Sequence, residues 1–258
     1  IMEYDGLTLM RTGTTGQRVL EKWGDDRRID WGYFYLAAND KDTRFSIADK
    51  RLTLDRDLGN VSAACGFVMA GYDDVQAILY MDRPIRPYWN RTGNETIAGQ
   101  FVKAEKEYSS VMDQCSRFND ELIADATSAG GSEYADLCVL AWRQSFAAHK
   151  LLETPEGLLL YLSKENNSNG SIGTVDLSYP SVPLFLLYNT ELAKGLMNPI
   201  LDYCASDKWN KDFAAHDIGR YPRAIGQNYG GDMPVEESGN MLIMAAAIAR
   251  AEGNPDFA

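Results

Sequence analysis

Two hydrophobic periods divide the chain near residue 98. Before that point, short runs of aromatic and β-branched residues alternate with polar turns; the runs are Thr8–Met10, Ile29–Leu36, Phe45–Leu54 and Val75–Met81. Short strands separated by turns are typical of an antiparallel β-sandwich. Pro84 and Pro87 are expected to end the last strand, because proline cannot donate to a strand ladder. Residues 1–98 are therefore predicted to be the C-terminal part of a β-sandwich domain.

After residue 98 the apolar positions recur every three to four residues, which predicts helices. The expected helices are Phe101–Ala126, Ser132 to about Leu152, Glu191–Ala205 and Ser238–Ala251. Leu158–Leu162 is predicted to be a short buried strand, and a helix over Tyr179–Tyr188 is expected to begin only near Pro183. Helices of this length joined by long polar loops indicate α/α hairpins. Residues 99–258 are therefore predicted to be the first helical hairpins of an α/α barrel, in a multidomain α+β protein.

Composition supports a folded, acidic protein. Of 258 residues, 45% are hydrophobic and 11% aromatic, which is enough for a substantial core and excludes wholesale disorder. The net charge of −12 repels phosphate backbones and anionic lipids, so neither nucleic acid nor a membrane surface is an expected partner. The longest apolar runs, such as Met241–Ala249, are too short to cross a bilayer. Because the chain opens at Ile1 inside a predicted strand and shows no signal peptide, it is expected to be a piece of a longer protein.

Neither a metal ion nor an organic cofactor is predicted from sequence motifs. The four cysteines are scattered without metal-ligand spacing, and the two histidines form no HExxH motif. No Walker loop and no G-x-G-x-x-G stretch occurs. Cys115, Cys138 and Cys204 lie in helical patterns and are expected to be small buried hydrophobes with few or no disulfides.

The most unusual polar stretch runs from Lys164 to Asp176. It follows an apolar run and carries one ammonium, two carboxylates and several amides. Long loops that cannot be stabilised by packing are often functional. The stretch is either a solvated surface turn or a binding loop in which Glu165 or Asp176 lies near the reacting bond, with Lys164 and Asn166 contacting the substrate.

Two further segments carry candidate chemistry. His216 and Asp217 have the groups to position a polar substrate or a water, with Tyr221 nearby, although Asp217 also suits the capping of backbone amides. Glu236 and Glu237 stand at a predicted helix start, where acids are ordinary first-turn residues. Neighbours on a helix point about 100° apart, so only one of the two acids can face a given ligand.

Arg86 and Trp89 form a fourth candidate feature, at the end of the predicted sandwich. The face of a tryptophan stacks well on a sugar ring, and packing in a core explains the residue equally. We expect Trp89 to form the sandwich-side wall of a substrate site.

Four longer motifs occur along the chain, at Asp26–Ala37, Lys164–Asp176, Ala215–Pro222 and Asp232–Met241. Together they closely resemble the glutaminase A family, and the resemblance extends over essentially the whole chain. It implies a large secreted protein with a β-sandwich followed by an (α/α)6 six-hairpin, glycosidase-like barrel, of which this chain holds the later sandwich and the first hairpins. It also implies an extracellular or periplasmic location. The missing barrel helices, or a second copy of the chain, are then the expected protein partners.

Three functions remain open at this stage. The resemblance implies hydrolysis of the side-chain amide of L-glutamine to glutamate and ammonia. Amide hydrolysis usually uses an activated Ser, Thr or Cys or a metal-bound water, and the residues show neither. Paired carboxylates suit a glycoside hydrolase of the six-hairpin type instead, and a non-catalytic carbohydrate-binding module is the third alternative. The expected ligand is therefore a small amino acid or carbohydrate.

The three polar segments are expected to converge at one mouth of the helical region. In an α/α barrel, alternate inter-helix loops emerge at the same end. Convergence would bring the acidic candidates, and Lys164 with them, to a single ligand; these acids are Glu165, Asp176, Asp217 and one of Glu236 and Glu237.

Overall fold

The computed structural model describes residues 1–21, 29–39, 43–60, 67–165 and 168–258. Residues 26–28 of the motif Asp26–Ala37 and the candidate ligand-binding residue Asn166 lie outside the described residues.

The chain contains both sheets and helices. The strands are β1 (Met2–Tyr4), β2 (Leu7–Gly13), β3 (Tyr33–Ala38), β4 (Thr43–Ala48), β5 (Arg51–Arg56), β6 (Met69–Asp73), β7 (Ile78–Tyr80), β8 (Arg83–Ile85), β9 (His149–Glu153), β10 (Leu159–Ser163) and β11 (Arg223–Ala224). The helices are α1 (Ile97–Gly130), α2 (Ser132–Ala147), α3 (Val175–Tyr188), α4 (Thr190–Ala205) and α5 (Pro234–Glu252). None of the described helices is long and apolar enough to cross a lipid bilayer.

An antiparallel sheet of order β1-β2-β3-β6 forms the N-terminal layer. Leu7 and Leu9 alternate with half-buried Thr8, so one face of β2 is buried. That face packs against Phe101 and Val102 in the first turns of α1, which closes a small core. Helix α1 therefore begins packed against the sheet. The domain boundary expected near residue 98 stays a prediction.

Two expectations for the strands are wrong. The run Phe45–Leu54 is not one strand, because Asp49 and Lys50 take positive φ values and turn the chain into the antiparallel hairpin β4–β5. Pro84 does not end the strand region but lies inside β8. Since β8 is an edge strand of the β11-β7-β8 sheet, the missing N–H of proline leaves no ladder bond unmade.

The helices predicted from periodicity are confirmed for α1, α4 and α5, but the segment after α2 differs. The expected helix from Ser132 to Leu152 ends at Ala147, and His149–Glu153 pairs antiparallel with β10. This pairing buries Leu152 and Leu160 completely. Tertiary packing therefore outweighs the local helical pattern.

Helix α3 begins much earlier than the expected start near Pro183. It starts at Val175 and contains both Pro180 and Pro183. Each proline removes one helical hydrogen bond, but Val182 and Phe185 of the same helix are buried in the main core. Packing of this apolar segment offsets the lost bonds.

The main core lies between the β9–β10 hairpin and helices α3, α4 and α5. Tyr80 of β7 joins it, because β11 pairs in parallel with β7 and ties the α4–α5 connection to the N-terminal half of the chain. The polar segments that precede α3 and α5 are anchored to this core.

Burial of the three helical cysteines is not confirmed. Cys115 is exposed, whereas Cys138 and Cys204 are half-buried; all three are free. Part of the apolar face expected for α2 is also exposed, with Leu137 64% and Leu140 52% accessible. Helices α1 and α2 therefore present an outer apolar surface that the described chain does not cover.

Candidate active site

Asp217 organises the connection between α4 and α5. Its side chain is fully buried, and Oδ1 accepts hydrogen bonds from the backbone N–H groups of Gly219 at 2.9 Å and Asn228 at 2.7 Å. Oδ2 accepts from the N–H of Tyr229 at 3.0 Å and lies 2.9 Å from Nδ1 of His216. Asp217 therefore caps backbone amides, which is one of the two roles considered for it from the sequence, and it also orients the imidazole of His216.

Contacts with Tyr229, Val175 and Asp217 fix the position of His216. Its ring stacks on Tyr229 with centroids 4.3 Å apart, and its carbonyl accepts from the N–H of Val175 at 2.9 Å. With Nδ1 facing the carboxylate of Asp217, a neutral ring carries its lone pair on Nε2. Burial lowers the pKa of His216, but the carboxylates around it outweigh this and raise the pKa above its ordinary value.

Two more carboxylates face Nε2 of His216. Asp176 lies in the first turn of α3 with Oδ2 at 3.7 Å, and Oε1 of Glu237 lies at 4.0 Å. Donor atoms of Glu165, Asp176 and His216 all fall within 4.8 Å of one another. Burial raises the pKa of Asp176, His216 opposes this, and Glu165 adds repulsion. Segments 164–176 and 216–237 therefore meet around one imidazole.

Glu237 is the most confined of these acids. It lies in the first turn of α5 with a fully buried side chain, and neither carboxylate oxygen has a hydrogen-bond partner among the described residues. Burial raises its pKa to about 7; His216 and the nearby side-chain amide of Asn240 oppose this, whereas Asp176 and Glu236 add repulsion. Its neighbour Glu236 is exposed, so only one of the paired acids faces the cluster.

A cleft opens beside the cluster. Its lining includes His149, Ser163, Lys164, Glu165 and Asp176. Nε2 of His149, Oγ of Ser163 and Oδ1 of Asp176 are buried without a hydrogen-bond partner among the described residues, so the cleft offers several polar groups to a ligand.

Lys164 lies at the rim of this cleft, and Tyr221 lies beside it. The ammonium of Lys164 is 5.8 Å from the ring centre of Tyr221, and both residues line a neighbouring depression with Lys150. Lys150 forms an ion pair with Asp74. The rim thus places positive charge beside an otherwise acidic cluster.

Arg86 and Trp89 are not brought to the cluster by any described contact or cleft. They belong to the segment between β8 and α1, which the ion pair of Arg91 with Glu153 (3.2 Å) holds near the turn of the β9–β10 hairpin. The cleft lies at the opposite end of that hairpin, where His149 pairs with Ser163. The expected sandwich-side wall formed by Trp89 is therefore not observed.

Sequence reasoning missed His149 and Ser163 as residues of the cleft. Assigning residues up to about 152 to a helix hid their cross-strand pairing. The signal available was Pro155 and Gly157 between two apolar runs, which is typical of a hairpin turn.

Comparison with known proteins matches two family models. Residues 131–258 match the "Glutaminase A six helical-hairpin domain", and residues 38–125 match a domain of unknown function, DUF5127. No solved structure shows significant similarity to the chain.

Two curated relatives match this chain over only a part of their own length. "Glutaminase A" of Aspergillus oryzae is 34% identical over 210 residues, which cover 78% of this chain and 30% of that protein. "Probable glutaminase" of Arthroderma benhamiae is 36% identical over 138 residues, covering 52% of this chain and 16% of that protein. The chain therefore spans less than a third of the length of either relative. Taken together with the two domain matches, these similarities show that the chain belongs to the glutaminase A family.

Proposed function

We propose that the protein is a hydrolase that cleaves the side-chain amide of L-glutamine to give glutamate and ammonia. The names of its relatives support the substrate. The observation that carries the proposal is the buried, unpartnered carboxylate of Glu237, which faces an imidazole whose orientation Asp217 fixes.

The cluster suits the activation of water. A water held between Glu237 and His216 loses a proton to one of them while its oxygen bonds to the amide carbon. The proton is then delivered to the amide nitrogen as the carbon–nitrogen bond breaks. Glutamate and ammonia are the products, and the acid–base group returns to its starting state.

The charges of the cleft suit a free amino acid. A free amino acid carries one ammonium and one carboxylate close together. Asp176 and Glu165 supply negative charge to the ammonium, and Lys164 at the rim supplies positive charge to the carboxylate. Ion pairing of this kind fixes the side-chain amide relative to the attacking water.

A glycoside hydrolase is the second candidate, and one observation favours it. Asp176 and Glu237 each lie within 4.0 Å of the same nitrogen of His216, so their nearest oxygens are at most about 8 Å apart, twice that distance. This upper bound is compatible with the ~5–10 Å separation of the carboxylate pairs that cleave glycosidic bonds.

A substrate comparison on the full-length protein separates the two. We expect ammonia release from L-glutamine and no release of nitrophenol from a panel of nitrophenyl glycosides. Glu237→Gln is expected to lower turnover by about 10²-fold or more. Glu191→Gln is the matched control, since Glu191 occupies the first turn of α4 but is exposed and paired with Lys194. Unchanged glutamine turnover in Glu237→Gln would contradict the proposed role.

We also propose that the helices are part of an (α/α)6 barrel and the sheet part of a β-sandwich, in a protein that acts outside the cytoplasm, extracellular or periplasmic. The six helical-hairpin match supports the barrel. So do apolar side chains on helix surfaces, since Leu187 is 73% and Val235 85% exposed. Helices of a closed ring bury such residues against their neighbours. Fractionation of cells that express the full-length protein tests the location.

A further inference from the structure

We propose that the cluster binds one divalent first-row transition-metal ion through the carboxylates of Glu165 and Asp176 and Nε2 of His216. The sequence motifs predict no metal ion, because these ligands lie 11 and 40 residues apart and match no familiar spacing. The inference therefore depends on the fold, which brings the three donors together.

The donor geometry fits a small cation. One ligand atom from each of the three residues lies within 4.8 Å of the other two, and Oδ2 of Asp176 is 3.7 Å from Nε2 of His216. Ligands of Zn²⁺ stand about 2.0–2.2 Å from the ion, which makes their mutual distances roughly 3–4 Å. Side-chain movements of less than about 1 Å close the site around an ion.

The orientation of His216 has the form found for metal-bound imidazoles. Such a histidine usually presents its other ring nitrogen to a carboxylate or carbonyl, which fixes the tautomer and aims the lone pair at the ion. Asp217 fills this position at 2.9 Å from Nδ1, and its other bonds to backbone N–H groups hold it in place. Nε2 is thereby directed at Asp176.

Glu237 supplies an independent reason to expect a cation. Its side chain is fully buried, both oxygens lack a hydrogen-bond partner among the described residues, and Oε1 lies 4.0 Å from Nε2 of His216. A buried carboxylate without a partner is costly. A divalent ion at the cluster offsets that cost, either by binding Glu237 directly or through a water between them.

The ligand set narrows the identity of the ion. Imidazole nitrogen disfavours Ca²⁺ and Mg²⁺, which take oxygen ligands, and the site contains no thiolate. One nitrogen with carboxylate oxygens suits Zn²⁺ or Mn²⁺. Three protein ligands leave a position for water, and an ion of this kind would supply the activated water that amide hydrolysis usually needs. With the ion bound, His216 would be a ligand and Glu237 alone would accept the proton of the water, while Glu165 and Asp176 would hold the ion instead of the substrate's ammonium. Only this catalytic role rests on the proposed hydrolase function, whereas the binding of the ion does not.

Calorimetric titration of the chelator-treated protein with Zn²⁺ tests the site, with Co²⁺ absorption as a spectroscopic report of nitrogen and oxygen ligands. We expect one ion per chain, with binding weakened at least about 100-fold in His216→Asn and in Glu165→Gln. Glu165 precedes α3 in a surface loop, so its variant keeps the test valid if His216→Asn fails to fold. Glu191→Gln and Asp57→Asn, which alter exposed carboxylates outside the cluster, are the controls and are expected to bind as the unaltered protein does. The absence of saturable binding, or equal affinity in the ligand variants and the controls, would overturn the inference.

Glutamine turnover measured with and without chelator separates this inference from the proposed function. Stoichiometric binding at these ligands without any turnover leaves the metal site standing and removes the hydrolase. Turnover that persists in a protein shown to bind no ion removes the metal site and leaves the hydrolase standing.

Discussion

Replacing Asp217 with asparagine tests whether this residue organises the candidate site. The carboxylate accepts four hydrogen bonds while fully buried, two at each oxygen. An asparagine of the same shape has one acceptor oxygen and one NH₂ group. In either amide orientation, the NH₂ group therefore faces two groups that previously donated to the carboxylate.

The structure gives the size of the effect. If the NH₂ group replaces Oδ1, the N–H groups of Gly219 and Asn228 lose their acceptor. If it replaces Oδ2, the N–H of Tyr229 loses its acceptor, and His216 must move its proton to Nε2 to accept at Nδ1. Each buried donor left unsatisfied costs about 1–3 kcal/mol, so we expect Asp217→Asn to lower the free energy of unfolding by about 2–4 kcal/mol. The second orientation also removes the lone pair that faces Asp176.

Urea unfolding followed by circular dichroism measures the stability, and nitrogen NMR of the imidazoles reports the tautomer. The protein has two histidines, so a His149→Gln background leaves the signal of His216 alone. Asp57→Asn is the control, because Asp57 is exposed and caps Gly59 at 2.8 Å; its cost should stay within about 0.5 kcal/mol. An Asp217→Asn protein as stable as the control, with an unaltered tautomer, would refute the reasoning.

Three further predictions concern the fold around the site. Gly219→Ala places a Cβ 2.2 Å from the carbonyl oxygen of Arg223 at a φ of 143°, so this substitution should lower the free energy of unfolding by about 1–3 kcal/mol or more. Gly230→Ala places its Cβ in open space and should change the free energy of unfolding little in the same urea titration. Burial lowers the pKa of His149 below 6.5, so the unfolded chain binds the proton more readily than the folded chain and the free energy of unfolding falls as pH drops through about 6.5. This part of the loss should be absent in His149→Gln when unfolding is compared at pH 7.5 and 5.5. Leu187→Lys should reduce self-association in light scattering, because Leu187 is 73% exposed on α3, and equal association in both proteins would argue against this surface.

Periodicity identified the long helices because helical hydrogen bonds are local, each joining residues four apart along the chain. α1, α4 and α5 carry apolar residues at helical spacing, so the helices themselves can be predicted without knowing what they pack against. The same argument placed the candidate acids in the polar segments that precede α3 and α5. Placing these acids required only the position of each polar segment relative to the helices beside it.

Non-local pairing explains what the sequence did not show. The strand from His149 to Glu153 exists because it pairs with β10, and its own residues are compatible with the end of a helix. The start of α3 at Val175 likewise depends on the burial of Phe185 in the main core, which outweighs two prolines. Both features shape the cleft, so its two lining residues His149 and Ser163 were missed for the same reason.

The choice between Glu236 and Glu237 shows how close the sequence comes to specifying the site. The buried positions of α5 are Glu237, Met241, Met244 and Ile248, which follow one another at four, three and four residues. The carboxylate of Glu237 therefore occupies the next position of this apolar stripe, one turn nearer the start of the helix. Burying a carboxylate at such a position is costly without a partner, which makes the position itself a signal of chemistry. Recognising it requires the start of the helix at Pro234 and the presence of His216 opposite, and only the folded chain provides the second of these.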